Sequence, residues 1–468
     1  MKNSDESVEE LSKKNSVPMK LKLGYSIGEI TDMIAYQGFW FLTFPFYASI
    51  LKINLDYITI AFIIWSIFNA FNDPILGTLS DKTKTSHLGG GRRRPWMVAM
   101  LVPLSVVMFF LFLPTGNSEI LATVYMCLIM CLFDTFYTAY SINHTSLYPE
   151  MFQTNREREE VGASRRIIMI VGLLIAFVLP TFFIDELIVD TDSSISQYRI
   201  TGIVMGILIF ITMLIHLIYG VKEPPIEHIK EVNTLSFIES LKTSLKNKKF
   251  LILVMGSTMC WYIFTLLPIV IEIYVAGVWN RTDTGSTTLL LLITFLSSAI
   301  GVLMWQKVDS KVGSRKGLIY TMIWWGISFI LMFFAPNYES LIFFMILVGI
   351  GLGGAPYFID RNISNITDED ELNTNCRREA SYYGVHAIFI RLAAILVILS
   401  INIVFSYRGF EEIDVSILDE DDVFGIKFLT TILPAIAMGI GLIFMKFFKL
   451  GREEVKEIQK KRKEICKD

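Results

Sequence analysis

Long uncharged apolar runs recur along the whole chain, and they limit what it can fold into. A run of about 20 apolar residues is long enough to cross a bilayer as a helix. The runs predict twelve transmembrane helices, over roughly 24–50, 57–80, 95–114, 119–145, 165–185, 199–220, 250–278, 285–306, 316–335, 340–362, 380–405 and 424–447. The expected fold class is therefore an all-α, polytopic membrane protein. Composition agrees: the 468 residues are 53% hydrophobic, with a mean hydropathy of +0.51, which a soluble chain of this size rarely reaches. The first twenty residues are polar, so no cleaved signal is expected and the first span serves as the membrane signal. The five cysteines show no CxxC or Cys/His metal spacing, and neither a disulfide framework nor a zinc site is indicated. No nucleophile–base constellation stands out, so no enzyme, cofactor or nucleic-acid partner is expected.

An even number of crossings puts both ends on one side. Most Lys and Arg lie in the tail before Gly24, in loops 81–94, 146–166, 221–249 and 307–316, and after Lys449. The opposite loops hold few, among them Lys52, Arg199, Arg281 and Arg408, and two are acidic, 185–192 and 411–422. The positive-inside rule then predicts a cell-membrane protein with both termini cytoplasmic. The longest internal polar stretch divides the chain into a tail (1–23), a six-helix bundle (24–220), a central loop (221–249), a second six-helix bundle (250–447) and a C-terminal tail (448–468). In the central loop, Phe237, Ile238, Leu241 and Leu245 share one helical face. That suits a helix in the membrane interface or one packed on neighbouring loops.

A charge at the bilayer centre costs at least ~2.5–3.5 kcal/mol, so each intramembrane ion needs a reason. Helical spacing puts Glu29, Asp32 and Tyr36 on one face. Glu29, nearer the end, snorkels or pairs with a loop base. The deeper Asp32 is a substrate or coupling acid, or half of a structural pair. Asn69 and Asp73 are one turn apart, beside Asn72. A carboxylate with amide oxygens suits Na⁺, and a lone acid suits H⁺; a satisfied acid at the Pro74 kink is the alternative. Asp134 shares a face with Ser141, and either joins the site or pairs with an arginine. Arg165 and Arg166 open the fifth span, one reaching inward and the other toward headgroups. His386 and Arg391 lie in the eleventh span, Arg391 deep enough to need an acid or a polar solute. Glu272 reads as interfacial and His216 as a packed neutral imidazole.

Two charged hairpins recur at matching places, GTLSDKTKT…GGGRRRPW after the second span and GVLMWQKVDSKVGSRKG after the eighth. Asp81, Lys82, Lys84 and Arg92 to Arg94, with Asp309, Arg315 and Lys316, are expected to latch a gate. Two six-helix halves with matching hairpins fit the major facilitator architecture, with a solute site between the halves.

Three segments carry a family resemblance: NDPILGTLSDKTKT…GRRRPW (72–96), SLYPEMFQTNREREEVGASRR (146–166) and ITDEDEL…CRREASYYG (366–384). With them the chain resembles the glycoside–pentoside–hexuronide:cation symporters, the melibiose-carrier type. The resemblance implies alternating access and symport of a sugar or glycoside with Na⁺, Li⁺ or H⁺. It implies Asp32 and Arg166 as sugar-site residues, Asp73 as the cation-site acid, and Arg391 as the basic residue of the eleventh span. The substrate-site expectation is Asp32, Tyr36, Asp134, Arg166, His386 and Arg391; the cation-site expectation is Asn69, Asp73 and Ser141. Any metal is Na⁺ at Asp73, as coupling ion. The partners expected are a small solute and the bilayer, with the monomer as the working unit. Two positions depart from the pattern. Asn69 stands where these carriers have a second acid, and Ser141 where Asp or Asn is common. One carboxylate holds Na⁺ less well, which favours H⁺, unless Asp134 restores the charge. Lysolipid carriers share the loop signatures, and a non-transporting membrane sensor is the remaining alternative.

Overall fold

The computed structural model describes residues 17–83, 91–113, 118–152, 154–191, 193–223, 237–374, 379–407 and 419–465. Lys84 and residues 85–90, most of the acidic stretch 411–422 and the CRR of 376–378 lie outside these residues. The regular elements described are helices: α1 (Met19–Ser26), α2 (Gly28–Pro45), α3 (Leu55–Lys82), α4 (Arg94–Phe110), α5 (Glu119–Met151), α6 (Asn155–Val178), α7 (Ser194–Tyr219) and α8 (Phe237–Lys246). There follow α9 (Lys248–Trp279), α10 (Thr284–Val312), α11 (Ser314–Phe333), α12 (Tyr338–Thr374), α13 (Glu379–Tyr407), α14 (Glu420–Lys427), α15 (Leu433–Phe447) and α16 (Arg452–Ile465). Single π-turns, Phe46–Ile50 and Phe428–Ile432, extend α2 and join α14 to α15. Among the described residues, ten helices are long and apolar enough to cross a bilayer, and Arg94–Phe110 is a shorter apolar helix.

Local chemistry sets the ends. The Asn54 side chain accepts the Asp56 N–H at the start of α3, and Asp283 does the same for Ser286 at α10. Thr154 and Glu157 form a capping box, so α6 starts ten residues before the apolar run that predicted it. Likewise α12 runs on to Thr374, past its apolar part, because Ile363, Ile366 and Thr367 stay buried; α12 also packs against α16. Along α3 the usual amphipathic order is reversed. Ile60, Ile64, Ile67, Phe71 and Ile75 are exposed, whereas Ile58, Phe62, Trp65, Asn69 and Asn72 are buried. Both sets recur every three or four residues, giving one face for lipid and one for the protein interior.

The helices pack as two groups with matching pairings. In the first, α3 packs on α5, α4 on α7 and α2 on α6; in the second, α10 packs on α12, α11 on α15 and α9 on α13. Close approach of α10 and α12 depends on glycine: a Cβ on Gly353 would stand 2.1 Å from the Ser298 carbonyl oxygen. Between the groups, α3 meets α13, α2 meets α9 and α6 meets α10. These junctions concentrate at the end away from α1 and α16. There Asn402 Nδ2 donates to Asp56 (2.9 Å), Thr284 N–H to the Asp185 carbonyl (2.9 Å) and the Thr288 hydroxyl to the Phe177 carbonyl (3.2 Å). The Phe177 and Phe295 rings stack at 5.3 Å.

At the end bearing α1 and α16, the charged hairpins are tied within their own groups. Gly91 has φ +102°, and past it the N–H groups of Arg92, Arg93 and Arg94 converge on the Glu223 carboxylate at 2.6–3.1 Å. Arg93 pairs with Asp81 (2.6 Å), and both Arg92 and Arg93 reach Glu150. Lys82 is exposed. In the second group Asp309 pairs with Arg361 (3.3 Å) and accepts from Tyr357 (2.9 Å), rather than meeting Arg315. Arg315 instead donates to the Lys446 carbonyl oxygen at 3.5 Å. The reason is geometric: Arg361 lies on α12, which packs along α10, while Arg315 opens α11 and turns toward α15.

Candidate functional site

Two carboxylates and one guanidinium meet where α3, α5 and α13 come together. Asp73 Oδ1 accepts from the Thr138 hydroxyl at 2.9 Å, and its Oδ2 from Arg391 Nη2 at 3.1 Å. Asp73 and Arg391 are 318 residues apart in sequence, and their ion pair bridges the two helix groups. Asp134, only 3% exposed, accepts from Asn69 Nδ2 at 2.5 Å and Asn72 Nδ2 at 3.2 Å. Thr138 lies one helical turn from Asp134, and Asn72 is next to Asp73 in the chain, so the two carboxylates are neighbours. Formal charge is therefore −1 when both acids are ionised. Among the described residues, the Asn69 and Ser66 side-chain oxygens are buried without a hydrogen-bond partner. Carboxylate, amide and hydroxyl oxygens are the ligand types a hard cation takes, and Asp73, Asp134, Asn69 and Thr138 bring them together here.

A third acid, Asp32, lies beside this cluster. Asp32 faces Tyr137 and Ser141, while its Oδ1 is buried with no partner among the described residues. Tyr137 stacks on Tyr36 at 5.5 Å, and Tyr36 lies in the electrostatic surroundings of Arg391. Tyr137 also stacks on Phe133 at 5.9 Å, so its ring is sandwiched and Asp32, Tyr36 and Arg391 are the polar groups grouped here.

Of the residues expected from sequence, the structure brings Asn69, Asp73, Asp134, Tyr36 and Arg391 into one cluster, with Asp32 beside it. Ser141 stands at Asp32 and not at Asp73. Arg166 is exposed, and it is Arg165 that turns inward, to Glu29. His386 is buried within the second group, with its Nε2 3.1 Å from the Ser257 hydroxyl, apart from Asp73. Glu272 is buried, not interfacial, and both its carboxylate oxygens are without a partner among the described residues. Sequence reasoning missed Thr138 and Tyr137; each lies one helical turn from a residue it did name, and that spacing was the available signal.

A third cluster was not expected. Glu29 accepts from Arg165 Nε at 2.5 Å and lies 3.1 Å from His144 Nε2. His144 Nδ1 is 3.2 Å from His216 Nε2, and His216 Nδ1 is 3.1 Å from the Gly24 carbonyl oxygen. His216, read from sequence as an isolated packed ring, is the inner member of a hydrogen-bonded chain.

An all-helical membrane fold with repeated packing, and with ionised groups held between its two helix groups, defines a polytopic solute transporter rather than an enzyme. The chain belongs to the family described as MFS/sugar transport protein, whose family model matches residues 24–452. It is 23% identical to an uncharacterized symporter of Synechocystis sp., over 92% of this chain and 94% of that one. It is 19% identical to the sodium-dependent lysophosphatidylcholine symporter 1 of Mus musculus, over 96% of this chain and 89% of that one. The fold resembles the crystal structure of the nucleoside transporter NupG, with a TM-score of 0.68 at 14% identity, covering 92% of this chain and 100% of that chain.

Proposed function

We propose that the protein is a symporter of the cell membrane that carries a sugar or glycoside together with one cation. The observation that carries this reading is the Asp73–Arg391 bridge beside Asp134. Two acids and one base leave one negative charge, and a buried net charge is costly, so one cation neutralises the site. Na⁺ fits best: Asp73, Asp134, Thr138 and Asn69 supply hard oxygen ligands. The cation competes with Arg391 for Asp73. Binding it loosens the bridge and leaves Arg391, with Asp32 and Tyr36, to hold the solute's hydroxyls and ring face. Loading then permits residues 24–220 to rock against 250–447, as two six-helix bundles making twelve crossings, with both termini cytoplasmic and the monomer as working unit. The ion pairs of the hairpins at Arg93 and Asp309 lie within single bundles here, so they brace each bundle, and a cytoplasmic latch forms only when the bundles close at that end.

The test is uptake into proteoliposomes of labelled glycosides, pentosides and a lysophosphatidylcholine, with Na⁺ and pH gradients imposed separately. Na⁺-driven uptake of a glycoside supports the reading. A lysophospholipid is the second reading, favoured by similarity to the lysophosphatidylcholine symporter along 96% of the chain. Na⁺-driven uptake of the lysolipid alone would replace the solute and keep the cation site.

A further inference from the structure

We infer that Glu29, His144 and His216 form a proton-binding site, separate from the Asp73–Asp134 cluster. The argument is a count of hydrogens. Three contacts run in series, from Glu29 to His144, from His144 to His216, and from His216 to the Gly24 carbonyl oxygen, each at 3.1–3.2 Å. A carbonyl oxygen only accepts, so His216 Nδ1 carries a hydrogen. An ionised carboxylate also only accepts, so His144 Nε2 carries one. Between the rings, one nitrogen must donate to the other. Three bonds need three hydrogens, and two neutral imidazoles bring two. The third is a bound proton. Without it, one contact faces two acceptors and the chain opens.

The surroundings say where that proton sits. Arg165 donates to Glu29 and stacks over Tyr148 at 4.5 Å, which keeps the carboxylate ionised. The proton is then on the imidazole pair. The other ionisable groups facing the pair are Tyr25, whose hydroxyl donates to the His144 carbonyl oxygen, Tyr140, which stacks on the His144 ring, and Asp32, one turn from Glu29. The site is pinned by backbone: a Cβ on Gly220 would stand 2.3 Å from the Gly24 carbonyl, so α7 approaches α1 closely enough for His216 to reach it. Elements α1, α2, α5, α6 and α7 all contribute. Arg165 keeps 21% of its side chain exposed, which opens the chain of bonds at one end. Proton occupancy therefore links the packing of the first helix group to pH on that side, one helical turn from Asp32.

The test does not depend on any solute. Full-length protein with ¹⁵N-labelled histidine rings, in nanodiscs at pH 8, is examined by nitrogen NMR. The sequence has five histidines, and single Gln replacements of His87, His228 and His386 identify the signals outside the pair. An unconstrained histidine at pH 8 is only about 3% charged. The site predicts one ring of the pair carrying hydrogen on both nitrogens in most of the population. Glu29→Gln supplies the third hydrogen from its amide, so that signal should revert to a neutral ring. Two neutral rings in the native protein, or a doubly protonated ring that persists in Glu29→Gln, would overturn the proposal.

Discussion

A carboxylate as deeply buried as Asp134 survives in a membrane helix because donors meet it from one side: Asn69 and Asn72, three residues apart on α3. Asn69→Ala removes the nearer donor and should lower stability by about 1–3 kcal/mol, read as a lower melting temperature in detergent. Asp134→Asn keeps the shape and removes the charge. It should raise the Na⁺ concentration for half-maximal uptake by about tenfold or more, equivalent to ~1.4 kcal/mol. Much of this site could be read from the chain, because Asp73, Asp134 and Arg391 each stand out as an ion inside an apolar run. Which acid pairs with Arg391 could not, since periodicity reports faces of one helix and not the neighbour across the fold. Asn69 is the clearest case. Read alone it is a lost acid, yet in the fold it holds the acid that α5 supplies. His144 and His216 were silent for the same reason: a lone ring on an apolar helix looks like packing until its partner 72 residues away is seen.

At the scale of elements, apolar periodicity located the helices, while their ends were set by features it does not report. The Thr154–Glu157 capping box and the buried underside of α12 extend helices into charged sequence. Helix contacts in lipid rest on close packing, so small residues at crossings matter more than hydrophobicity. Gly353→Val should therefore be among the more damaging glycine changes, since its Cβ would overlap the Ser298 backbone. A loss of about 1–3 kcal/mol is expected from overpacking, measured by thermal unfolding. Gly439→Ala, whose Cβ meets nothing within 4 Å, serves as the control and should melt as the native protein does. The hairpins were recognised as charged from sequence, but their pairing was not. Asp309 finds Arg361 on the helix beside it, a choice made by α10–α12 packing rather than by proximity in the chain.

For the molecule as a whole, the two helix groups meet at the end away from α1 and α16, while each hairpin at the other end stays within its group. The polar junctions at the closed end are few and partly exposed, and such contacts are weak singly, ~0–1 kcal/mol, which suits a gate that must open. Replacing Asp56 and Asn402 by cysteines and oxidising the pair should lock that end and stop uptake, and reductant should restore it. Moving one cation inward gains about 2.3 kcal/mol per 100 mV, enough to concentrate a solute some tens of fold. In the proposed coupling, Asp73 is the residue that links the bound cation to Arg391 across the groups. The deciding measurement is solute uptake into proteoliposomes under an imposed Na⁺ gradient, native protein against Asp73→Asn, with melting temperature as the check on folding. The account predicts gradient-driven accumulation in the native protein and none in the variant. Equal accumulation in a folded Asp73→Asn would contradict it.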